Sequence, residues 1–465
     1  TIEAHGTEEQ KQTYLTRLIS GEWTGTMCLT EPHCGSDLGT LRTKAEPNAD
    51  GTYAITGTKI FISAGEHDMA ENIVHLVLAR IEGAPEGVKG ISLFIVPKFV
   101  VDEDGNATER NGVNLAGLIH KLGYRGTTST ALSFGDDAPC HGYLVGEPHQ
   151  GLKYMFQMMN EARVGVGFGA AVIGYRGYMH SLEYAKDRLQ GRKPSEKNPE
   201  APQVPIIEHA DVRRMLLAQK AYSEGGLALC LYGARLMDDQ HTHPDEQKRL
   251  EAGKLLDLLT PVIKAWPSEY GPKANDLAIQ VYGGAGYTRE YPVEQCWRDN
   301  RLNPIHEGTN GIQALDLLGR KIWQDQSHGL QLLMQQMQVD LEAATSDRCQ
   351  QWALSLSETL QQAVKVTQSL GKSLMSENPD RVLANASCYL HLFGHIIVSW
   401  MWLRQANAAE KALANVSTDD ERNFYQGKMQ AAQYFFHWEL PTVAQDLVLL
   451  KNQDDTCLAM KAEWF

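Results

Sequence analysis

Hydrophobic and polar positions change period along the chain, and those changes mark out four zones. Over residues 1–22 apolar residues recur at helical spacing, and Thr7-Glu8-Glu9-Gln10 offers a capping signature, so one amphipathic helix is predicted. Residues 23–148 shift to short β-rich runs, "GTYAITGTKIFISAG", "ENIVHLVLARI", "GISLFIVPKFV" and "STALSFGD", bounded by Gly, Asp, Asn and Pro. That texture predicts a β domain. From Gly151 the helical period returns and predicts helices over 151–187, 207–238, 245–285 and 311–325, with the polar loop "GRKPSEKNPEAPQVP" at 191–205 between them. Residues 326–465 carry three or four more periodic segments, broken by "SENPD" at 376–380 and "NVSTDDE" at 415–421. The fold class is α+β. The most apolar run, "LFGHIIVSWMWL" at 392–403, falls short of the roughly 20 residues a bilayer needs and holds His395 and Ser399, so it predicts a buried helix and no membrane span.

Composition narrows the function classes. Hydrophobic residues make up 43% and charged residues 22%, enough to build sizeable cores over 465 residues. The net charge of -14 argues against non-specific nucleic-acid binding, which needs a basic footprint. Eight cysteines are scattered without a CxxC pair or a zinc-like Cys/His spacing, which predicts reduced, mostly buried thiols and no metal.

Candidate chemistry concentrates in five stretches. "MCLTEPHCGSDLGTLRTKA", 27–45, joins the first helix to the β domain with Thr30, Gly35, Ser36 and Thr40; such a loop suits a phosphate or a flat heteroaromatic ligand, or is a plain polar turn. "KIFISAGEHD", 59–68, places Phe61 and Ser63 two apart on one strand face, where they could flank a flat cofactor or belong to an edge strand. "AKDRLQGRK", 185–193, ends a helix in Arg188, Arg192 and Lys193, either dipole complements or a pyrophosphate clamp. "QVYGGAGYTREYPVEQCWRDNR", 280–301, holds a Gly-rich turn at 283–286 that follows a helix and so is no dinucleotide fingerprint; Arg298-Asp299 reads as a structural ion pair. In "NPIHEGTNGIQ", 303–313, Thr309 or Asn310 explains a helix start, but Glu307 goes unexplained. The second His of an HExxH zinc motif would fall on Asn310, so no metal is implied.

The order and spacing of "CLTEPHCGSD", "GTKIFISAG", "KLGYRGTTST", "AKDRLQGR", "QVYGGAGYTREYPVEQCWRD" and "IHEGTNGIQ" resemble the acyl-CoA dehydrogenases over residues 1–325. Residues 326–465 resemble the C-terminal extension of longer members, those of the 3-methylmercaptopropionyl-CoA type among them. The resemblance implies a middle β-barrel domain (23–148), a C-terminal four-helix bundle carrying FAD and the catalytic base (149–325) and an additional helical extension (326–465). Residues 1–22 would be the last helix of an N-terminal helical domain that is otherwise largely absent from this chain.

The resemblance also assigns roles. Glu307 matches the catalytic base that removes the α-proton of an acyl-CoA thioester while the β-hydrogen leaves as hydride to flavin N5, giving the trans-2-enoyl-CoA. Thr30 matches the contact to the flavin pyrimidine edge, with Met27 and Leu29 beside it. Phe61 stands where a tryptophan usually shields the flavin, and Ser63 where a threonine meets N5. Arg188, Gln280, Gly283 and Gly284 match contacts to the FAD diphosphate across a homodimer interface, and Thr309 a contact to its adenosine diphosphate part. Ser36, Arg163 and Gly308 match the substrate side. Some members carry the base on the helix holding "MNEARVG"; Ala162 fills that position here, which makes Glu161, one residue out of register, the rival. An electron-transferring flavoprotein is the expected electron acceptor, with an oxidase that uses O2 or a non-catalytic DNA-binding member as alternatives. A cytoplasmic location, or the mitochondrial matrix of a eukaryote, is the matching expectation.

Overall fold

The computed structural model describes residues 1–465, the side chain of residue 157 excepted, and the chain divides into two compact units, Thr1–Glu161 and Ala162–Phe465. The first unit opens on α1 (Ile2–His5), α2 (Glu8–Gln10) and α3 (Thr16–Ser20), the last two joined by a π turn. The single helix expected over 1–22 is therefore broken, because Gly6 takes an extended conformation (ψ 155°). Thr7 then restarts the helix with a reciprocal capping box, its hydroxyl accepting from Gln10 N and its N–H donating to Gln10 Oε1, both at 3.2 Å.

Ten strands follow: β1 (Thr24–Cys28), β2 (Lys44–Pro47), β3 (Tyr53–Ser63), β4 (Ile73–Ile81), β5 (Ile91–Pro97), β6 (Phe99–Val101), β7 (Ala107–Arg110), β8 (Val113–Leu118), β9 (Ser129–Phe134) and β10 (His141–Leu144). The main sheet runs β1-β4-β5-β10-β3-β9-β8, and β2 pairs with both β3 and β4, closing a ring of five strands into a barrel-like sheet. Both faces are apolar, with the period of two that strands require. Val74, Leu76 and Leu78 enter one core with Ile91, Leu93 and Ile95, whereas Val77 and Ala79 enter the other with Phe94 and Val96. The edge-strand reading of "KIFIS" is corrected: β3 lies inside the sheet between β10 and β9, and a bulge between Lys59 and Ile62 throws Phe61 into a left-handed conformation (φ 59°).

The second unit is helical. Its elements are α4 (Gly151–Asp187, from residue 162 onward), α5 (Ala210–Thr242), α6 (Glu246–Tyr282), α7 (Val293–Asn300), α8 (Asn310–Gly319), α9 (Gln324–Glu342), α10 (Asp347–Ser376), α11 (Pro379–Leu383), α12 (Ala386–Leu413), α13 (Asp419–Tyr434), α14 (Ala444–Asn452) and α15 (Thr456–Ala459). Helix α7 was not foreseen, although Val293, Cys296 and Asn300, its buried positions, sit at helical spacing. The Gly283–Tyr287 turn is a 3-10 turn that ends α6. Arg298 makes its bidentate pair with Glu294, one turn back on α7, where sequence adjacency had suggested Asp299.

Helices α4 and α6 pack closely because Pro267 has no N–H for the Ile263 carbonyl one turn earlier, and Gly167 lets α4 approach that exposed carbonyl. A Cβ at Gly167 would collide with it, and one at Gly174 would lie 3.2 Å from Gly271 Cα. Helix α12 is long and apolar enough to cross a membrane, yet 83% of its apolar window is buried, with Trp400 and Trp402 in the same core cluster as α5 and α6. None of the eight cysteines forms a disulfide.

Candidate functional site

The turn Pro304–Thr309 joins α7 to α8 and is fixed from both sides. Thr309 caps α8, accepting from Ile312 N at 3.4 Å, and Asn310 N–H reaches back to Pro304 O at 3.0 Å. Between them Glu307 (φ 52°) and Gly308 (φ 82°) are both left-handed. For a glutamate this conformation costs on the order of 1 kcal/mol, so the surrounding turn has to impose it.

What imposes it is a ladder of buried amides. Asn275 on α6 donates to Ile173 O at 3.0 Å, Asn300 to Ala170 O (3.0 Å) and Asn275 Oδ1 (2.7 Å), and Asn303 to Asn300 Oδ1 (2.8 Å). His306 Nε2 meets Asn303 Oδ1 at 3.1 Å. The ladder runs from the α4 backbone to the residue before Glu307, and Asn275, Asn300 and Asn303 are all buried. Burial drives the His306 imidazole down to about 4, aided by the Lys264 charge, so it is neutral at pH 7.

Two cations flank the carboxylate. Arg163 on α4 is buried, and a Cβ on Gly308 would lie 3.6 Å from its Nη2. Lys264 on α6 is fully buried and donates to Asn310 Oδ1 at 3.1 Å. Burial pushes the Glu307 carboxyl above the ordinary carboxylate range, and Arg163 and then Lys264 oppose that rise. A half-buried carboxylate poised in this way is suited to accept a proton from a weak carbon acid. Glu161, the rival, is exposed at the end of the first unit.

The first unit builds a second constellation. Lys59 on β3 is buried and donates to Glu31 Oε1 at 2.8 Å and Leu29 O at 3.0 Å. Glu31 also accepts from Thr43 N (3.0 Å), Thr43 Oγ1 (2.6 Å) and Arg42 N (2.7 Å), while Ile60 N–H donates to Thr30 O at 2.9 Å. The loop after β1 is thus pinned against β3. Met27 at the end of β1 and Leu29 and Thr30 on that loop are half-buried, Ser36 is exposed, and Phe61 (60% exposed) and Ser63 lie on either side of buried Ile62. The hydroxyls of Thr30, Ser36 and Ser63 have no hydrogen-bond partner among the described residues, and Phe61, two residues before Ser63 in the bulge, is largely exposed. Free hydroxyls with an aromatic wall fit the edge and face of a flavin ring. Glu31, His33 and Cys34 lie within metal-ligating reach of one another, but Lys59, Thr43 and Arg42 already engage both Glu31 oxygens.

Arg188, Gln280, Gly283 and Gly284 are exposed, and neither glycine has a neighbour within 4 Å of where a Cβ would stand, so both leave open backbone for a ligand phosphate. Lys264, Lys59 and the asparagine ladder were missed from sequence. A lone lysine in the apolar run "LLTPVIKAW" was the available signal for the first.

A barrel-like sheet unit and a helical unit bearing a strained glutamate turn define a fold shared with known proteins. Residues 26–136 match the family described as acyl-CoA dehydrogenase, middle domain, residues 149–323 its C-terminal domain, and residues 333–461 the acetyl-CoA dehydrogenase C-terminal like family. The 3-methylmercaptopropionyl-CoA dehydrogenase of Ruegeria pomeroyi is 41% identical over 436 residues, covering 92% of this chain and 72% of that protein. A broad-specificity linear acyl-CoA dehydrogenase of Mycobacterium tuberculosis is 38% identical over 98% of this chain and 76% of its own length. The structure of an acyl-CoA dehydrogenase from Bacillus anthracis, complexed with FAD, shares the fold at TM-score 0.75 and 23% identity, covering 96% of this chain and 72% of that one. The chain belongs to the acyl-CoA dehydrogenase family of oxidoreductases.

Proposed function

We propose that this chain dehydrogenates an acyl-CoA thioester across its α,β bond, with Glu307 as the base and FAD as the cofactor. The observation that carries this reading is the Glu307 turn: a left-handed carboxylate, held up in pKa by burial and flanked by Arg163 and Lys264. FAD, when bound, supplies the hydride acceptor. Thr30, Met27, Leu29, Phe61 and Ser63 would hold its ring, and Arg188, Gln280, Gly283, Gly284 and Thr309 its diphosphate and adenosine parts. Ser36, Arg163 and Gly308 would meet the acyl-CoA.

Glu307 begins the reaction ionised and leaves it protonated, and the α-carbon's electron pair becomes the new C=C bond as the β-hydrogen departs with its pair. The α-proton is only weakly acidic, so raising the basicity of the carboxylate by burial lowers the cost of the transfer; a positioned base typically contributes roughly 10²–10⁴-fold. Gly308 has no side chain, and Gln313 Nε2 packs into the space that a Cβ there would fill.

The relative named for 3-methylmercaptopropionyl-CoA supports the short end of the short or medium acyl chain we propose here. We further read residues 149–325 as a four-helix bundle, 1–22 as the end of an N-terminal helical domain, the functional form as a homodimer, and an electron-transferring flavoprotein as the electron acceptor. The test is a Glu307→Gln protein mixed anaerobically with acyl-CoA. It should retain FAD yet fail to bleach its absorbance, and bleaching at the native rate would exclude Glu307 as the base.

A further inference from the structure

We infer that Lys264 is a positioning residue, one that seats the Glu307–Asn310 turn and fixes a positive charge beside the base. The inference rests on Glu307 being that base. Lys264 reaches the turn from inside α6, with its side chain wholly buried. Its ammonium donates to Asn310 Oδ1 at 3.1 Å, and the Asn310 amide donates back to Ala265 O at 3.4 Å. Two consecutive residues of α6 therefore grip both ends of one amide, three residues after Glu307.

A neutral donor would serve the amide equally well. A buried ammonium costs several kcal/mol unless a charge compensates it, and Lys264 makes no ion pair within 4.0 Å among the described residues. The carboxylate that acts on it electrostatically is Glu307. The remaining charged groups do not replace it. Arg163 faces Glu307 from α4 but is also attracted by Asp316 of α8 and opposed by Arg320 just beyond that helix, and His306 on the turn itself is neutral at pH 7. Lys264 thus stabilises the ionised base without pairing with it. Its own proton is held loosely: burial, then the neighbouring Arg163 charge, bring the ammonium down to about 8.

The test uses the FAD-loaded full chain and follows the rate of flavin bleaching by acyl-CoA across pH, with FAD content read from absorbance. Lys264→Gln keeps a donor for Asn310 and removes the charge. The acid limb of its profile should move up by about one pH unit, and a change near pH 8 in the native profile should vanish. Asn310→Ala keeps the charge and loses the seat, so its rate should fall about tenfold or more with the acid limb unmoved. An unshifted acid limb in FAD-loaded Lys264→Gln overturns the charge role, and a native rate in Asn310→Ala overturns the seating role. If Lys264→Gln does not hold FAD, the Asn310→Ala rate decides. An inert Glu307→Gln protein beside unmoved Lys264 profiles sinks this inference alone, whereas an active one sinks the base assignment.

Discussion

Replacing Lys59 by Met should loosen the loop that carries Thr30. Lys59 is wholly buried, and its ammonium sits 2.8 Å from Glu31 Oε1 and 3.0 Å from Leu29 O. Removing one partner of a buried ion pair costs about 3–5 kcal/mol, because the other charge is left without compensation. The Leu29 carbonyl also loses its donor, about 1 kcal/mol more if water does not reach it. Against a typical domain stability of roughly 5–15 kcal/mol, a loss near 4 kcal/mol is large. Glu31 keeps three other donors, from Thr43 and Arg42, so the damage should stay local. Hydrogen exchange over residues 27–36 and 59–63, read beside urea unfolding, measures both quantities. The Ile60 amide, bonded to Thr30 O, should exchange far faster in the variant. Adding Glu31→Gln should recover about half the loss, since the stranded charge is then gone. A Lys59→Met protein that loses under about 1 kcal/mol, with exchange over 27–36 unchanged, refutes the pinning role. The pair also predicts an acid dependence. Burial raises Glu31, but the Lys59 charge and the hydrogen bonds outweigh it and hold the carboxyl below its ordinary range, so its contribution is full above the unfolded-state pKa and is lost as pH falls through the folded one.

Other consequences are as direct. Gly167→Ala places a methyl against the Ile263 carbonyl, a backbone atom that cannot swing aside, and should cost about 1–3 kcal/mol in thermal or urea unfolding; an unchanged midpoint would show that α4 and α6 can part freely. Burial and the nearby His391 hold the His395 imidazole down at about 3, so the unfolded chain takes up a proton below pH 6.5 that the folded one refuses. Stability should therefore fall as pH drops from 6.5 toward 3, by about 1.4 kcal/mol per unit for this one group. His395→Gln should flatten the slope of unfolding free energy against pH by that amount, and an unaltered slope would mean that His395 is not buried neutral.

The elements that were legible in the sequence are those whose signal is local. The β-rich apolar runs in "ENIVHLVLARI" and "GISLFIVPKFV" reflect strands buried on both faces, and the predicted span 151–187 coincides with α4 because Gly151 and Asp187 bound one uninterrupted helical pattern. What stayed hidden depends on partners far along the chain. Gly6 breaks the first helix only through its extended backbone, and β3 is interior only because β9 and β10 flank it. The same holds for the candidate site. Glu307 was visible as an acid without a structural reason at a glycine-rich turn, but nothing near it in sequence announces Asn275, thirty-two positions back, or Lys264, forty-three back. A local signal exposes the proposed base, since an acid at that turn has no role in the element it sits in. The residues that hold it obey the rules of their own elements, as a buried amide or a lysine on an apolar helix, and only their meeting across α4, α6 and α7 gives them a role. The strain at Glu307 and the buried amide ladder are therefore two halves of one device: the left-handed carboxylate persists because Asn275, Asn300, Asn303 and Asn310 leave the turn no relaxed alternative.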